Sequence, residues 1–404
     1  MNASNSPPTL APPVAPGPLE WLRKNLFSNW FNAVLTLASL VFLYFTLVTI
    51  LRWALFSADW QPVTYSPLLF LVGQYPRAQL WRPGLSLLIG TFLIGMSWGL
   101  WERYIKPFAI FFAILLTILA IFPLKTPTIT LSIRAVFLAS PVLIILGYRI
   151  GRLPAVKGKY VITMWLLAAI FITLVLLPGL GNIPALPKIA TTSWGGLLIT
   201  LLLAVGGITL SFPIGVLLAL GRRSSLTVVK LFSIFFIETI RGVPLVTVLF
   251  MFSIILALFL PAGSRIDRIV RALLAMVFFS SAYTAENVRG GLQAVPPGQA
   301  EAAKALGLSN FQITTFIVLP QALRLVIPTI VGQFISLFKD TTLVVIVGIN
   351  DLLGISNAVL NLKPQFVHLQ MEVYLFVAVI FWIFSYFMSY TSRELEKSLG
   401  IGKR

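Results

Sequence analysis

Pairs of charged residues interrupt apolar runs in the second half of the chain, and these pairs are Glu238 and Arg241, Glu286 and Arg289, and Lys339 and Asp340. A charge at the centre of a bilayer costs about 2.5–3.5 kcal/mol on insertion scales, so such residues are retained for a function or for a partner. The chemistry open to them is non-covalent. They can bind the charged groups of a zwitterionic solute or those of a neighbouring helix.

The spacing within a pair indicates whether its two residues can pair with each other. Glu238 and Arg241 lie three residues apart on one helical face, where they can neutralise each other. They are interpreted either as an ion pair that only locks helices together or as part of a substrate pathway. The pair at 286 and 289 repeats this spacing, and we favour a structural or gating role there. Lys339 and Asp340 are adjacent and need separate partners, which could be the carboxylate and ammonium groups of a zwitterion.

Smaller polar residues near these pairs extend the candidate pathway. The additional candidates for pathway-lining groups are Ser281, Tyr283, Gln333, Ser336 and Thr341. Gly242 and Pro244 directly follow Arg241, and we expect them to loosen the helix and free backbone polar groups beside the charged pair. Interrupted helices of this kind often carry ligand groups in transporters.

Residues 296–320 form the most informative connection between two apolar runs. Pro297 suits the first position of a helix, and Gly307 is placed to end that helix. Ser309 and Gln312 have the spacing of a capping box, which predicts the start of a second short helix. Pro320 marks the predicted limit of that helix. The segment therefore predicts two short helices joined by a glycine elbow.

The composition indicates a membrane protein. Hydrophobic residues make up 58% of the 404 residues and charged residues only 10%, whereas a soluble domain is about 25% charged. The mean hydropathy is +0.94. The net charge of +18 arises from short basic clusters between apolar runs. That pattern follows the positive-inside rule and argues against a nucleic-acid partner.

Several kinds of site are excluded by residue type. The chain has no cysteine, which removes disulfides and thiolate ligands, and its single histidine, His368, has no His-Glu-x-x-His context, so no metal site is predicted. No segment matches the Gly-x-x-x-x-Gly-Lys-Ser/Thr phosphate loop. We therefore expect no cofactor in this chain, and any ATP hydrolysis must come from another chain.

About ten apolar runs are long enough to cross a bilayer, and they lie near residues 32–56, 84–101, 107–123, 131–148, 160–178, 195–220, 228–260, 270–291, 325–347 and 372–392. The run at 228–260 is long enough to tilt or to contain a broken segment. With both termini inside, the inner connections carry most of the Lys and Arg residues. We predict an all-α polytopic membrane protein with cytoplasmic termini.

A change in composition near residues 179–194 divides the chain. The apolar runs before it contain few ionisable or amide side chains, whereas the runs after it carry the charged pairs. The predicted regions are a cytoplasmic tail with an interfacial helix at 1–31, an accessory transmembrane region at 32–190, a five-span core at 191–395 and a cytoplasmic C-terminal tail at 396–404.

The connection at 296–320 also resembles a known motif. Its residues Glu301, Ala302, Ala303, Gly307, Ile317, Leu319 and Pro320 match in type and spacing the EAA motif of ABC-importer permeases. In that family the motif forms the coupling helix, which fits a cleft in the ATPase subunit. Three further segments, ETIRGVPL from Glu238, AYTAENVRGG from Ala282 and LFKDTTL from Leu337, are similar to segments of the branch that carries polar amino acids such as histidine, glutamate, glutamine and arginine.

The resemblance implies a permease subunit of an amino-acid importer in a bacterial inner membrane. It implies a five-helix core, an ABC ATPase dimer that holds ATP and magnesium, and an extracytoplasmic binding protein that delivers the amino acid. The long N-terminal extension resembles the larger permeases of general L-amino-acid importers, which pair two different membrane subunits. A second, different permease is therefore expected. Which amino acids are carried, and which of the two subunits holds a substrate site, stays open.

Two other functions are weighed against this one. An ion-coupled secondary transporter would favour an inverted repeat of spans and gives no role to the loop at 296–320. A membrane-embedded enzyme would need clustered His, Cys or paired carboxylates near one membrane face. The permease is the favoured interpretation.

Overall fold

The computed structural model describes residues 17–121, 130–259, 261 and 266–400. The chain divides into two compact units, Met1–Asp59 and Trp60–Arg404. Parts of the two predicted tails, residues 1–16 and 401–404, lie outside the described residues.

The described part of the first unit, residues 17–59, contains the helices α1 at Pro18–Asn25 and α2 at Trp30–Arg52, and a π-helical turn at Trp53–Ser57 continues α2. α1 begins with proline, which has no amide hydrogen to leave unpaired in the first turn. The side chain of Asn29 caps α2 by accepting a 2.8 Å hydrogen bond from the amide of Asn32. Residues Trp30–Ser57 are long and apolar enough to span a membrane, as the sequence predicts.

The second unit begins with two short helices and four long ones. Their bounds are α3 at Gln61–Tyr65, α4 at Pro67–Val72, α5 at Trp81–Leu100, α6 at Glu102–Ile121, α7 at Leu131–Gly151 and α8 at Gly158–Ile170. A 3₁₀ turn at Arg77–Gln79 precedes α5, a π-helical stretch at Phe171–Leu176 extends α8, and a 3₁₀ turn at Thr191–Ser193 leads to the next helix.

The rest of the second unit contains ten helices. Their bounds are α9 at Gly196–Arg222, α10 at Thr227–Arg241, α11 at Leu245–Phe250, α12 at Leu256–Phe259, α13 at Arg268–Ala294, α14 at Pro297–Ala305, α15 at Asn310–Gln312, α16 at Leu319–Asp340, α17 at Gly354–Leu360 and α18 at Gln370–Leu399. π-helical stretches at Met251–Ile255 and Ile313–Val318 join α11 to α12 and α15 to α16, and 3₁₀ turns lie at Thr341–Val347 and Pro364–Phe366.

Nine helical segments in the described part of the chain are long and apolar enough to cross a membrane, and the bent pair α10–α11 makes a tenth. This confirms the predicted all-α architecture with about ten spans. The bend is 109°. It lies inside the run at 228–260 and confirms the broken segment that its length predicts.

Close packing of α5 against α7 depends on four glycines, which form two Gly-x-x-x-Gly pairs. A β-carbon on Gly95 would lie 2.1 Å from the carbonyl oxygen of Ile144, and one on Gly147 would lie 2.2 Å from that of Phe92. Gly99 and Gly151 approach the opposite helix in the same way. Small residues allow helix backbones to touch inside a membrane, where the hydrophobic effect does not drive helices together.

Gly95→Ala is therefore expected to destabilise the protein by about 1–3 kcal/mol, as overpacked cores do. Gly90→Ala is the matched control on the same helix, since nothing lies within 4 Å of the position of its β-carbon. Thermal unfolding in detergent, followed by tryptophan fluorescence, measures both variants. Equal unfolding temperatures for the two would show that the glycine contact does not hold α5 on α7.

The core helices α9, α13 and α16 pack around buried apolar residues that include Leu203, Met276 and Leu337. α18 packs on this core, and it also contacts α6 through aromatic rings. Phe111 stacks on Phe387 with ring centroids 4.0 Å apart, and Phe112 meets Phe384 edge to face at 5.9 Å. α6 is thus packed on α18.

The core has two ends, an α14 end and an α17 end. At the α14 end, the guanidinium of Arg223 donates to the carbonyl oxygen of Leu292 at 3.4 Å, which brings the last turns of α9 and α13 together. At the α17 end, the amide of Gly196 donates to the carbonyl oxygen of Asn350 at 3.0 Å, which joins the start of α9 to the segment before α17.

The short helix α4 packs at the α17 end of the core. Phe70 is buried against Leu352 and Val373, and its ring contacts Phe376 of α18. Gly73 follows α4 with φ of +69°, and a β-carbon there would lie 2.5 Å from the amide nitrogen of Gly195. Residues of the predicted accessory region therefore pack directly on the core. The division at residue 190 stays a prediction.

A carboxyl group is buried at this same end. Asp351 is fully buried, and its Oδ1 accepts a 2.8 Å hydrogen bond from the amide of Gly354, while its Oδ2 has no hydrogen-bond partner among the described residues. Burial raises the pKa of the Asp351 carboxyl from 3.8 to about 6, and the backbone bonds only partly oppose that shift. The native state therefore holds this proton more tightly than the unfolded chain does.

The protein is expected to lose about 3 kcal/mol of folding stability through Asp351 as the pH rises from about 4 to above 6, because the native state must then bury a charge. Asp351→Asn removes this loss, so the variant should be more stable than the wild type at pH 8 and similar to it near pH 4. Thermal unfolding across that pH range measures the difference. Asp267→Asn, at the residue whose side chain caps α13, is the control. A wild-type-like pH dependence in Asp351→Asn would contradict the prediction.

Candidate functional site

The segment at 296–320 has the predicted helix and elbow. α14 carries Pro297 in its first turn and ends at Ala305. Gly307 then adopts φ of +80°, a left-handed conformation that glycine takes without a steric cost. The amides of Gly307 and Leu308 donate to the carbonyl oxygens of Lys304 and Ala303, which closes the end of the helix.

The second helix starts as predicted but does not end as predicted. The amide of Ser309 donates to the Gln312 side chain at 2.9 Å and the amide of Gln312 donates to the Ser309 hydroxyl at 3.4 Å, so the capping box is confirmed. The prediction that Pro320 limits this helix is wrong, since α15 continues through the π-helical stretch into α16. A wider π turn before Pro320 accommodates a residue that cannot donate the usual helical hydrogen bond.

The loop exposes apolar surface at the α14 end. Leu306 is 82% exposed and Phe311 is 75% exposed, and Phe316 is exposed as well. Glu301 and Ala302 are also exposed on α14, whereas Ala303 is buried. Of the remaining predicted coupling residues, Ile317 and Leu319 are half-buried and Pro320 is exposed. Exposed large apolar side chains grouped on one loop are typical of a protein-binding surface.

The break between α10 and α11 lies at Gly242–Pro244. α10 ends at Arg241, and Pro244 has the extended conformation of a residue that precedes a new helix. Proline disfavours helical geometry in the residue before it, which here is Val243. The predicted loosening of the helix by Gly242 and Pro244 is thus a full break.

Beside this break lies a cluster of charges, named the arginine cluster, formed by Arg222, Glu238, Arg241, Glu286 and Arg289. Glu286 is its centre. The Nε of Arg289 lies 3.0 Å from both oxygens of Glu286, and guanidinium nitrogens of Arg241 and Arg222 lie at 3.4 and 3.7 Å. Glu238 accepts a 2.8 Å hydrogen bond from Arg222. The cluster ties together the end of α9, the end of α10 and the last third of α13.

The predicted pairing of Glu238 with Arg241 is therefore wrong. Glu238 pairs with Arg222 of the preceding helix, and Arg241 pairs with Glu286 and lies over the ring of Tyr283, 5.7 Å from its centroid. Their shared helical face allowed a local pair, but the bend after Arg241 brings that face against α9 and α13. Three arginines against two glutamates leave the cluster with an excess of positive charge.

A second polar network crosses the three core helices. The amide of Gln333 on α16 donates to the carbonyl oxygen of Ser280 at 2.7 Å and accepts from Asn287 at 2.7 Å. The hydroxyl of Ser280 also contacts that of Ser211 on α9 at 3.0 Å. Gln333 thus fixes the register between α13 and α16.

Sequence comparisons identify the family of the chain. A family model described as "Binding-protein-dependent transport system inner membrane component" matches residues 211–399. The chain is 37% identical over 404 residues to the inner membrane amino-acid ABC transporter permease protein YhdY of Escherichia coli strain K12, and the match covers 95% of this chain and 94% of that protein. The chain belongs to the amino-acid ABC transporter permeases.

Two other relatives match this permease over different shares of its length. The glutamate/glutamine/aspartate/asparagine transport system permease protein BztC of Rhodobacter capsulatus is 36% identical over 429 residues, and the match covers 96% of each chain. The probable glutamine ABC transporter permease protein GlnP of Bacillus subtilis is 36% identical over 204 residues, which cover 91% of that protein but 50% of this permease. The predicted resemblance to larger permeases is confirmed.

Membership of this family confirms the predicted inner-membrane location and transport function. It also favours the permease over the secondary transporter and the enzyme. In the permease, Glu238, Arg241 and Tyr283 lie together at the arginine cluster, and Gln333 lies in the network beside it. Ser281 is fully buried and donates to the carbonyl oxygen of Phe278 in its own helix.

The remaining candidates lie at the end of α16 that approaches the α17 end. Ser336 and Lys339 are exposed and Asp340 is half-buried, and in the described part of the chain neither Lys339 nor Asp340 forms an ion pair. Thr341 is fully buried and donates to the carbonyl oxygen of Phe338. The permease therefore holds its candidate pathway residues in two groups rather than one.

Sequence reasoning missed several residues of these sites. Arg222 contacts both glutamates of the arginine cluster, but in the sequence it reads as an ordinary basic residue of a connection. Leu306 and Phe311 have no signal apart from their place beside the glycine elbow. Ser211 and Ser280 are hydroxyl residues within apolar runs, and only the packing of α9 on α13 brings them together.

Proposed function

We propose that this permease pairs with a second, different permease subunit to form the membrane pathway of the importer. An ABC ATPase dimer, which holds ATP and magnesium, binds at the α14 end, and an extracytoplasmic binding protein delivers the amino acid at the α17 end. Both termini then lie on the cytoplasmic side. The substrate is an amino acid, and the likeness to BztC, a glutamate/glutamine/aspartate/asparagine permease, favours acidic amino acids and their amides.

The main support for this proposal is the exposed apolar surface of the loop at 296–320. Leu306 and Phe311 project beside α14, and Glu301 adds a charge on the exposed side of that helix. Burying a leucine or phenylalanine side chain contributes about 1.5–3 kcal/mol, so two such residues can anchor a partner protein. The seven residues that match the coupling motif surround these anchors.

The same loop is connected to the arginine cluster through α13. Glu286 lies eight residues, or about 12 Å, before the end of α13. Only Val295 and Pro296 separate that helix from α14. A displacement of α14 by the ATPase therefore moves the residue that holds α9 and α10 in place. We assign a gating role to Glu286, Arg289, Gly242 and Pro244 on this basis.

The two groups of polar residues define the substrate pathway in this proposal. Lys339 and Asp340 offer a cation and a carboxylate to the two charged groups of an amino acid, and Ser336 lies one turn away on α16. Arg241 and Tyr283 offer a guanidinium and a phenol nearer the α14 end. Gln333 and Ser281 support these groups, since their side chains form hydrogen bonds to backbone carbonyl oxygens of the core helices. Thr341 is the C-cap residue of α16.

The test is assembly with the ATPase. Leu306→Asp is expected to lose ATPase subunits during purification and to abolish ATP-dependent amino-acid uptake in proteoliposomes. Leu226→Asp is the matched control, because Leu226 is exposed in the connection between α9 and α10 but lies outside the loop. Intact assembly and uptake in Leu306→Asp, or uptake by the chain without any ATPase, would overturn the proposal.

A further inference from the structure

α5, α7 and α8 enclose a groove of about 460 Å³ in the first half of the permease. Its lining is entirely apolar and includes Leu88, Phe92, Leu93, Leu143, Met164 and Leu167. The groove is open along one side, where Leu167 is 61% exposed. All of these residues belong to candidate membrane spans, so the groove faces the hydrocarbon region of the bilayer.

Positive charge lies at one end of this groove. Lys157 and Lys159 flank the start of α8, and Arg149 lies in the last turn of α7. All three side chains are exposed, and within the described ranges no carboxylate pairs with them. The neighbouring Glu102 pairs with Arg152 at 3.1 Å. An anion at the start of α8 would therefore meet uncompensated cations.

The distance between the charges and the groove matches one lipid leaflet. Ala168, the last residue of α8 that lines the groove, lies nine positions after Lys159, which corresponds to about 14 Å along the helix. Half of a bilayer core of about 30 Å is about 15 Å. A headgroup bound at the start of α8 would thus place its acyl chain along the helix and into the groove.

We propose that this groove and the basic start of α8 form a binding site for one anionic phospholipid. The phosphate contacts the ammonium groups of Lys157 and Lys159, and one acyl chain fills the groove between α5 and α8. The charge favours a lipid over a second protein helix, because an apolar helix would bring no anion to the two lysines. This site is independent of the ATPase and of the substrate pathway.

Native mass spectrometry of the purified complex tests the acyl-chain part. The complex is exchanged into detergent with phosphatidylglycerol or phosphatidylcholine, and the retained lipids are counted. Leu167→Trp fills the groove and is expected to lose one phosphatidylglycerol per copy of this chain. Leu166→Trp is the matched control, since Leu166 is the adjacent exposed residue, at 52% exposure, and does not line the groove. Leu88→Trp fills the same groove from α5 should Leu167→Trp fail to fold.

The contribution of the two lysines to lipid binding is tested with the double variant Lys157→Gln/Lys159→Gln. A basic residue near a membrane surface contributes about 1 kcal/mol to the binding of anionic lipid, so the double variant is expected to bind phosphatidylglycerol roughly 30-fold more weakly. Its binding of phosphatidylcholine should not change. Equal lipid retention in Leu167→Trp and Leu166→Trp would overturn the proposal, as would a groove variant that changes the number of protein subunits instead of the number of lipids.

Discussion

Glu286→Gln is expected to abolish coupled transport and to lower the stability of the permease, whereas Glu238→Gln should have a small effect on both. Glu286 is the shared acceptor of three arginines, and its side chain is only 21% exposed. Without its charge, Arg241 and Arg289 lose their carboxylate partner in a partly buried site. Leaving buried charges unpaired costs about 3–5 kcal/mol, and we expect about 2 kcal/mol here because water reaches the cluster.

Glu238→Gln is the matched control for this experiment. Its side chain is 53% exposed, and within the described residues its one ion pair is with Arg222, which keeps Glu286 within 3.7 Å. Exposed ion pairs contribute about 0–1 kcal/mol. Thermal unfolding of the purified complex measures stability, and ATP-dependent uptake in proteoliposomes measures transport.

The comparison of the two variants separates two roles for the cluster. A gating role predicts that Glu286→Gln loses uptake while basal ATPase activity persists in an assembled complex. A purely structural role predicts that uptake falls only as far as the amount of folded complex falls. Equal effects of Glu286→Gln and Glu238→Gln would contradict the assignment of Glu286 as the central carboxylate of the arginine cluster.

Local signals in the sequence predicted the elements of the site well. Pro297, Gly307 and the capping box of Ser309 and Gln312 act within one turn of the backbone, so residue type alone determines their effect. The break at Gly242–Pro244 follows the same logic, since proline restricts its neighbour whatever the fold. Apolar runs located the spans for a related reason, because bilayer thickness fixes their length.

Contacts between helices were not predictable in the same way. Glu238 and Arg241 had an acceptable partner in each other, and only the 109° bend decided in favour of Arg222 and Glu286. Arg103 and Arg149 follow apolar runs just as Arg222 does, and the sequence does not distinguish Arg222 from them. The packing of Phe70 into the α17 end likewise depends on how α4 meets α9, which no periodicity in residues 61–76 indicates.

Gly307→Val is expected to uncouple ATP hydrolysis from uptake, whereas Gly307→Asn should keep most of the activity. Gly307 has φ of +80°, and a left-handed conformation costs an ordinary residue about 1–2 kcal/mol. A β-branched valine is disfavoured most strongly there, whereas asparagine tolerates it. A strain of about 2 kcal/mol would reduce the population of the native elbow by roughly 30-fold relative to other loop conformations.

This pair of variants isolates the backbone conformation from the size of the side chain. Nothing lies within 4 Å of the position of a β-carbon at Gly307, so neither residue clashes with the rest of the chain. Substrate-stimulated ATPase activity and uptake, measured on complexes with intact assembly, should both fall at least tenfold in Gly307→Val and stay near wild type in Gly307→Asn. A similar loss in both variants would mean that the ATPase contacts position 307 itself. Wild-type activity in both variants would mean that the backbone conformation of Gly307 does not determine where Leu306 and Phe311 lie. The geometry of the loop at 296–320 would then have another cause.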